Sequence, residues 1–486
     1  MTSPAPSAVA FPASPRRPGD AVVPVRFATG SAAHGPLTWS QQYYLAEVEA
    51  ARPLGRSLAL RRLYELRPGT TEQDVTAALA TLLERHEALR STVVPAADPE
   101  DARQRVHPDG RLDLLVRDVP EGVLRSAASQ LLQELAAPVF DLAREWPVRA
   151  ALVCAGGGPR LLALAFSHLA VDAFALRPVT EHLVAACAVA DPVAYPPTRS
   201  DHPGRGLLEQ AALERSADAA RALRRAARVC AAMPPAPPDD PRGAPAGSFR
   251  FLSHRSAALD LATGAVALRS KESVATVLTA AMLTVDALMA GSTTGYVQLI
   301  AANRTRPELA RAVQPCSQPV PCCVDVTDAS FHDLVRRTAA ATLGAFRFGS
   351  FPPAGLDRAR AAAERDRGVR LDTSVTLNYR PRADPLPLRA VTGDELRRAA
   401  ADRETAWTDG EYVWRATRCL SIDASAGGLR LVLQVDTARH SRQWAERWTA
   451  AFERLLCAAA RADVPAGRLS RVVRPGAVRR RLPVPK

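Results

Sequence analysis

The sequence predicts an α/β (α+β) protein folded as two lobes, and three observations carry that reading. The chain has 486 residues, more than one hydrophobic core ordinarily serves. Short apolar runs that suit buried strands alternate with longer segments whose apolar residues recur at helical spacing. Proline-rich stretches at Pro192–Pro203 and Pro234–Pro245 bracket a basic helical segment, Leu207–Cys230, which reads as the link between lobes. The expected divisions are a flexible tail over 1–30, an N-terminal lobe over 31–200, a linker and helix over 201–245, a C-terminal lobe over 246–470 and a basic tail over 471–486.

Taken in order, the Pro-, Ala- and Ser-rich start reads as a loose tail, within which Val22–Phe27 has the character of an edge strand. Ser40 is the expected cap of a first helix carrying Tyr44, Leu45 and Val48 inward. Arg56–Leu66 alternates as a strand. Thr70 and Thr71 cap a helix over 72–86 with the stripe Val75, Leu79, Leu82 and Leu83. Strands are expected at 110–116 and 146–154, with a helix over 121–136 between them and a turn at Gly156–Pro159. In the second lobe, strands are expected near Phe249–Leu252 and over 296–301, 373–379 and 429–435. Helices are expected over 273–289, 331–347 and 441–460, the last with Trp444, Trp448, Phe452 and Leu455 on one face.

Composition narrows the function. Hydrophobic content is 47%, enough for sizeable cores, yet no apolar run approaches the ~20 residues of a membrane span. The N-terminus lacks the charged and apolar regions of a secretory signal, so a cytoplasmic location is expected. The formal charge of +13 is spread along the chain. Its bases are nearly all arginine, in the manner of a codon bias rather than a patch, and no basic–aromatic interleaving marks a nucleic-acid surface. The eight cysteines show no metal-ligand spacing and read as reduced, mostly buried thiols, with Cys322 and Cys323 as packing residues. No metal is expected.

Chemistry concentrates at Leu161–Phe174. Six apolar residues, Leu161–Phe166, read as a strand buried on both faces. Polarity then arrives at Ser167 and His168, and Asp172 is placed to cap a helix whose stripe would hold Phe174, Val179 and Leu183. An imidazole at such a strand–loop junction is either a ligand-facing group or a core-edge histidine bonded to backbone, and this stretch alone leaves both open. His86 reads as structural within its motif and His182 as a helix-surface residue.

Several stretches together resemble the condensation-domain family of nonribosomal peptide synthesis, within the chloramphenicol acetyltransferase-like superfamily. Thr38-Trp-Ser-Gln-Gln-Tyr-Tyr-Leu45 resembles its Ser-x-x-Gln-x-x-Leu-Trp motif. Arg85-His-Glu-Ala-Leu-Arg-Ser-Thr-Val93 resembles Arg-His-Glu-x-Leu-Arg-Thr, and Phe140–Arg149 resembles Phe-Asp-Leu-x-x-Gly-Pro-x-x-Arg. Ser167-His-Leu-Ala-Val-Asp-Ala173 stands where the family has His-His-x-x-x-Asp-Gly. Asn303-Arg-Thr-Arg-Pro-Glu-Leu309 is similar to a segment of the family's second lobe.

The resemblance implies two chloramphenicol acetyltransferase-like lobes in a V, each a mixed sheet flanked by helices, with an active-site tunnel between them. It implies a free-standing acyltransferase that forms an amide or ester from a carrier-bound thioester. Carrier proteins would act in trans, supplying phosphopantetheine, and no cofactor would be resident. The alternative is an inactive member that docks a carrier or recruits a tailoring enzyme. His168 matches the histidine that acts on the acceptor nucleophile. Asp172 matches the motif aspartate, implied to be ion-paired with Arg85 or Arg90. Ser167 replaces the first histidine, and Ala173 replaces glycine, which would strain the turn if φ were positive. The segment Val313–Val326 departs from the family's Asn-x-x-Pro loop. Ala173, whose Cβ would narrow the channel, Asn378 and Tyr379 are candidates for lining the tunnel.

Overall fold

The structure is a computed structural model that describes residues 17–30, 32–187, 189–190, 204–215, 217–236, 249–380, 386–408, 416–425 and 428–475. The start of the expected N-terminal tail, the first proline cluster, most of the second and the Arg479–Arg481 run lie outside the described residues.

In chain order the elements are β1 (Ala21–Ala28), β2 (Ala33–Pro36), α1 (Trp39–Ala51), β3 (Ala59–Leu66), α2 (Glu72–Arg85), β4 (Ser91–Val94), β5 (Arg103–Val106), β6 (Asp109–Asp118), α3 (Leu124–Ala136), β7 (Val148–Ala155), β8 (Gly158–Ser167), α4 (Leu176–Cys187), β9 (Val189–Ala190) and α5 (Leu207–Glu214). There follow α6 (Ala217–Ala232), β10 (Phe249–Arg255), α7 (Ala257–Ser270), α8 (Val274–Ala290), β11 (Thr294–Ala301), α9 (Pro307–Ala310), β12 (Gln318–Asp325), α10 (Phe331–Arg347), α11 (Pro353–Arg367), β13 (Val375–Arg380), α12 (Gly393–Ala399), β14 (Glu404–Thr408), β15 (Arg418–Ser425), β16 (Gly428–Asp436), α13 (Arg442–Arg461) and α14 (Ala466–Val473).

The chain divides into two compact units. The first holds residues 1–219, 302–318 and 350–354; the second holds 220–301, 319–349 and 355–486. The first unit is built on a six-stranded sheet in the order β1-β6-β7-β8-β3-β9, with β2-β5-β4 as a separate small sheet. Only the β6–β7 pair in the large sheet is parallel. β1 pairs along its length with β6 at the sheet edge, so part of the stretch expected to be a tail is an edge strand, as the Val22–Phe27 pattern predicts.

β8 is central and buried on both faces. Its side chains alternate between two cores. Leu162, Leu164 and Phe166 pack with Val75, Leu79 and Leu82 of α2 and with Val179 and Leu183 of α4. Leu161, Ala163 and Ala165 pack with Ala128, Leu131 and Leu135 of α3. A strand gripped on both faces is a stiff base for the residues that follow it.

The second unit carries a seven-stranded mixed sheet, β12-β11-β13-β15-β16-β10-β14. The β11–β13 and β13–β15 pairs are parallel. Trp448, Phe452 and Leu455 of α13 are fully buried, and Asp286 of α8 pairs with Arg418 (2.6 Å) and accepts a hydrogen bond from Trp448 Nε1 (2.6 Å).

Several local expectations are corrected. Thr38, not Ser40, caps α1, through a capping box with Gln41. The expected single helix over 207–230 is two helices. Residues 257–270, for which no element was expected, form α7, most of whose apolar residues are buried while Ala257 and Leu268 are exposed. Phe174 is 46% exposed and lies outside the α4 stripe. Pro178 sits in the first turn of α4, where a missing N–H costs no helical bond.

Candidate functional site

Beyond β8 the chain turns sharply. Ser167 is buried, and its Oγ accepts the Leu169 N–H (3.2 Å) while its carbonyl accepts from Ala170 (3.0 Å) and Val171 (3.3 Å). Ser167 is thus a turn-forming residue. His168 follows it and is half-buried. Ala173 is exposed and is not among the residues with positive φ, so its Cβ strains nothing.

Helix α1 meets this turn along one face. Gln41 Nε2 donates to Gln104 Oε1 (2.9 Å) and to the carbonyl of Leu169 (3.4 Å). One turn further on, Tyr44 lays its ring flat on the His168 imidazole, with centroids 4.4 Å apart and planes within 9°. Residues three apart on a helix share a face, so one helix holds both the turn and the imidazole. The Tyr44 hydroxyl hydrogen-bonds Ser317 Oγ (2.8 Å). Burial, then the charge of Asp172, push this hydroxyl above its ordinary pKa, so it stays protonated.

Asp172 fastens the turn to the segment 302–318. It is fully buried. Oδ1 accepts from Ala175 N–H (2.8 Å) and Arg304 Nη2 (3.0 Å), and Oδ2 accepts from the N–H groups of Cys316 (2.8 Å) and Ser317 (2.9 Å). Burial alone would raise its pKa; the Arg304 charge and the three N–H groups outweigh burial and hold it below the usual carboxylate value. Arg304 in turn donates to the carbonyls of Leu309 (2.6 Å), Ala312 (2.9 Å) and Gln314 (2.8 Å), so the segment is folded around one guanidinium. Asn303 takes a left-handed φ of 52° to start that turn and donates to the Cys316 carbonyl (3.0 Å).

The expected pairing of Asp172 with Arg85 or Arg90 is therefore corrected: the partner is Arg304. Arg85 lies exposed at the end of α2, beside a cleft of about 280 Å³ lined also by His86, His182 and Arg311. Arg90 is buried and spends Nη1 on the His107 carbonyl (2.6 Å). His86 is held neutral by burial, its pKa lowered to about 3. His182 is half-buried and bonds Thr81 Oγ1 (3.1 Å). Asn378 and Tyr379 are half-buried on β13, in the second unit.

Sequence reading missed Arg304, Ser317 and the role of Tyr44. Arg304 lay within a matched segment, but nothing in its spacing pointed to Asp172. Tyr44 carried a signal: counted from Thr38, it stands where the motif has leucine.

The cysteines add no nucleophile here. All eight are unpaired thiols, and burial pushes Cys316 and Cys322 up to about 12. Among the described residues no His, Cys, Asp or Glu cluster has the makings of a metal site, and no single helix is long and apolar enough to cross a membrane.

The Phe140–Arg149 motif is a buried brace. Arg149 pairs bidentately with Glu145 (2.8 and 3.0 Å), donates to the carbonyls of Leu135 and Pro138 (both 2.8 Å), and stands 3.9 Å over the Phe140 ring. It occupies the motif's arginine position, and Glu145 stands where the motif has glycine.

Residues 32–472 match the model of the condensation domain. The chain belongs to the condensation-domain family. Within it, the chain is 37% identical over 157 residues, 31% of its length, to a probable nonribosomal peptide synthetase of Salinispora arenicola. It is 32% identical over 158 residues, 32% of its length, to the isonitrile lipopeptide synthase of Mycobacterium tuberculosis. These stretches span 2% and 6% of those much longer relatives. Among solved structures the fold is similar to the SgcC5 protein from Streptomyces globisporus (TM-score 0.63, 19% identity, 88% of this chain and 98% of that one). It is also similar to a condensation domain for chain release from the enacyloxin polyketide synthase (TM-score 0.63, 21% identity, 94% and 86%). A third likeness is to the complex of the X-domain and OxyB from teicoplanin biosynthesis (TM-score 0.62, 19% identity, 87% and 93%). The mixed-sheet architecture and the expected family agree with these findings.

Proposed function

We propose that this condensation-family chain is an acyltransferase that forms an amide or ester from a carrier-bound acyl thioester. His168 is the general base. The acceptor's N–H or O–H gives its proton to the imidazole as nitrogen or oxygen bonds to the thioester carbonyl carbon. The C–S bond then breaks, and the imidazolium returns the proton to the departing thiolate. Such base assistance is typically worth roughly 10²–10⁴ in rate. The observation that supports the reading is the placement of His168, half-buried at the end of a doubly buried strand and clasped by α1 and the Asp172 turn. The phosphopantetheine arm would come with the carrier, as part of the substrate.

The test is turnover with a panel of acyl- and aminoacyl-loaded carrier proteins against amine and alcohol acceptors, read by mass spectrometry. The His168→Ala variant is expected to lose at least about a hundredfold. Turnover unchanged in that variant, or absent from the wild type across the panel while the loaded carriers still bind, would reject the mechanism and leave a docking role.

A further inference from the structure

The motif match leaves Tyr44 unexplained, because a leucine at that position would offer neither a flat ring nor a hydroxyl. In this chain both are used. The ring lies parallel to the His168 imidazole at 4.4 Å, and the hydroxyl reaches Ser317 Oγ at 2.8 Å. Ser317 is itself held, since its backbone N–H donates to Asp172 at 2.9 Å. The ring is therefore fixed at both ends: by α1 through its own backbone and by the Asp172 frame through its hydroxyl. One turn earlier on the same helix, Gln41 holds the carbonyl of the residue that follows His168. Aromatic pairs in offset-stacked contact favour one relative orientation, so the imidazole resting on this plate has its plane set by it.

We infer that Tyr44 is a positioning residue for His168: a plate that fixes the imidazole plane and covers one of its faces. The inference rests on the acyl-transfer reading for its catalytic meaning, but its geometric content is independent of it. A general base acts only where its lone pair points at the proton it takes, so a ring free to rotate spends part of its time misaligned. Tyr44 removes that freedom. Ser317 and Asp172 act one and two contacts further out, by holding the plate.

Two substitutions separate the plate from its anchor. Tyr44→Phe keeps the ring and loses the bond to Ser317; Tyr44→Leu restores the motif residue and removes the plate. The first readout uses deuterated protein with labelled histidine, the His168 signals being assigned by their absence from His168→Ala. The ring protons of His168 are expected upfield in the wild type and in Tyr44→Phe, and at ordinary positions in Tyr44→Leu. The second readout is the rate at which diethyl pyrocarbonate modifies His168, expected to rise several-fold in Tyr44→Leu as the ring gains freedom to turn an in-plane nitrogen lone pair toward the reagent. The third is turnover: kcat is expected to fall about tenfold in Tyr44→Leu with KM within about twofold, and to stay within about threefold in Tyr44→Phe.

Ordinary ring shifts in the wild type, or a modification rate and kcat unchanged in Tyr44→Leu, would overturn the inference. Neither result would touch the acyl-transfer reading if His168→Ala is inactive. Wild-type turnover in His168→Ala would instead reject that reading and, with it, the catalytic meaning of Tyr44, while the first two readouts still decide the geometry.

Discussion

Replacing Asp172 with asparagine keeps its shape and removes its charge. The side chain is fully buried and accepts four hydrogen bonds, one from a guanidinium and three from backbone N–H groups. An asparagine oxygen can accept at most half of that set, and its NH2 group would face donors where the carboxylate met acceptable partners. Arg304, itself buried, would be left without a counter-charge. Breaking a buried pair in this way costs about 3–5 kcal/mol, a large share of the roughly 5–15 kcal/mol that holds a domain together.

The assay is urea unfolding of Asp172→Asn, Arg304→Met and the double variant, followed over pH. A coupling of at least about 1 kcal/mol between the two sites is expected. The pH dependence has a definite sign. The carboxyl is held below its ordinary value in the fold. Its contribution is therefore fully present above the unfolded value, about 3.9, and disappears as the pH falls through the folded value. The stability gap between wild type and Asp172→Asn should accordingly be widest near neutrality and shrink in acid. An Asp172→Asn protein within about 1 kcal/mol of wild type, or a gap that does not change with pH, would refute the account of this carboxylate as the fastener of the segment 302–318.

Phe166→Ala empties a position that is fully buried between β8 and the α2–α4 layer; a loss of about 3–5 kcal/mol is expected in urea unfolding, and a loss under 1 kcal/mol would count against that core. Glu145→Gln breaks the bidentate pair with Arg149 while leaving that arginine two carbonyl acceptors, so a smaller loss, about 3 kcal/mol, is expected by the same measurement.

How much was legible in the sequence differs element by element. Leu161–Phe166 could be read as a doubly buried strand because every position is apolar, and the polar break at Ser167–His168 marked where it surfaced. Helix α10 could be bounded at Phe331 and Arg347 because an amphipathic stripe is a local signal, and the structure adds a capping Ser330. Helix α7 escaped because burial of most of its residues left only a weak period. The motifs named the family and singled out His168 and Asp172, and the family model agrees over residues 32–472.

The partner of Asp172 was another matter. Arg85 and Arg90 were closer in sequence and lay in a matched motif, yet Arg304 took the place, 132 residues away. The plate under His168 likewise came from a residue that the motif gives as leucine. Strand, helix and motif follow from side chains acting on their own stretch of backbone, so the chain's order of residues determines them. Which guanidinium neutralises a buried carboxylate, and which ring lies on an imidazole, depends on segments brought together only when the chain has folded; that choice belonged to the tertiary structure.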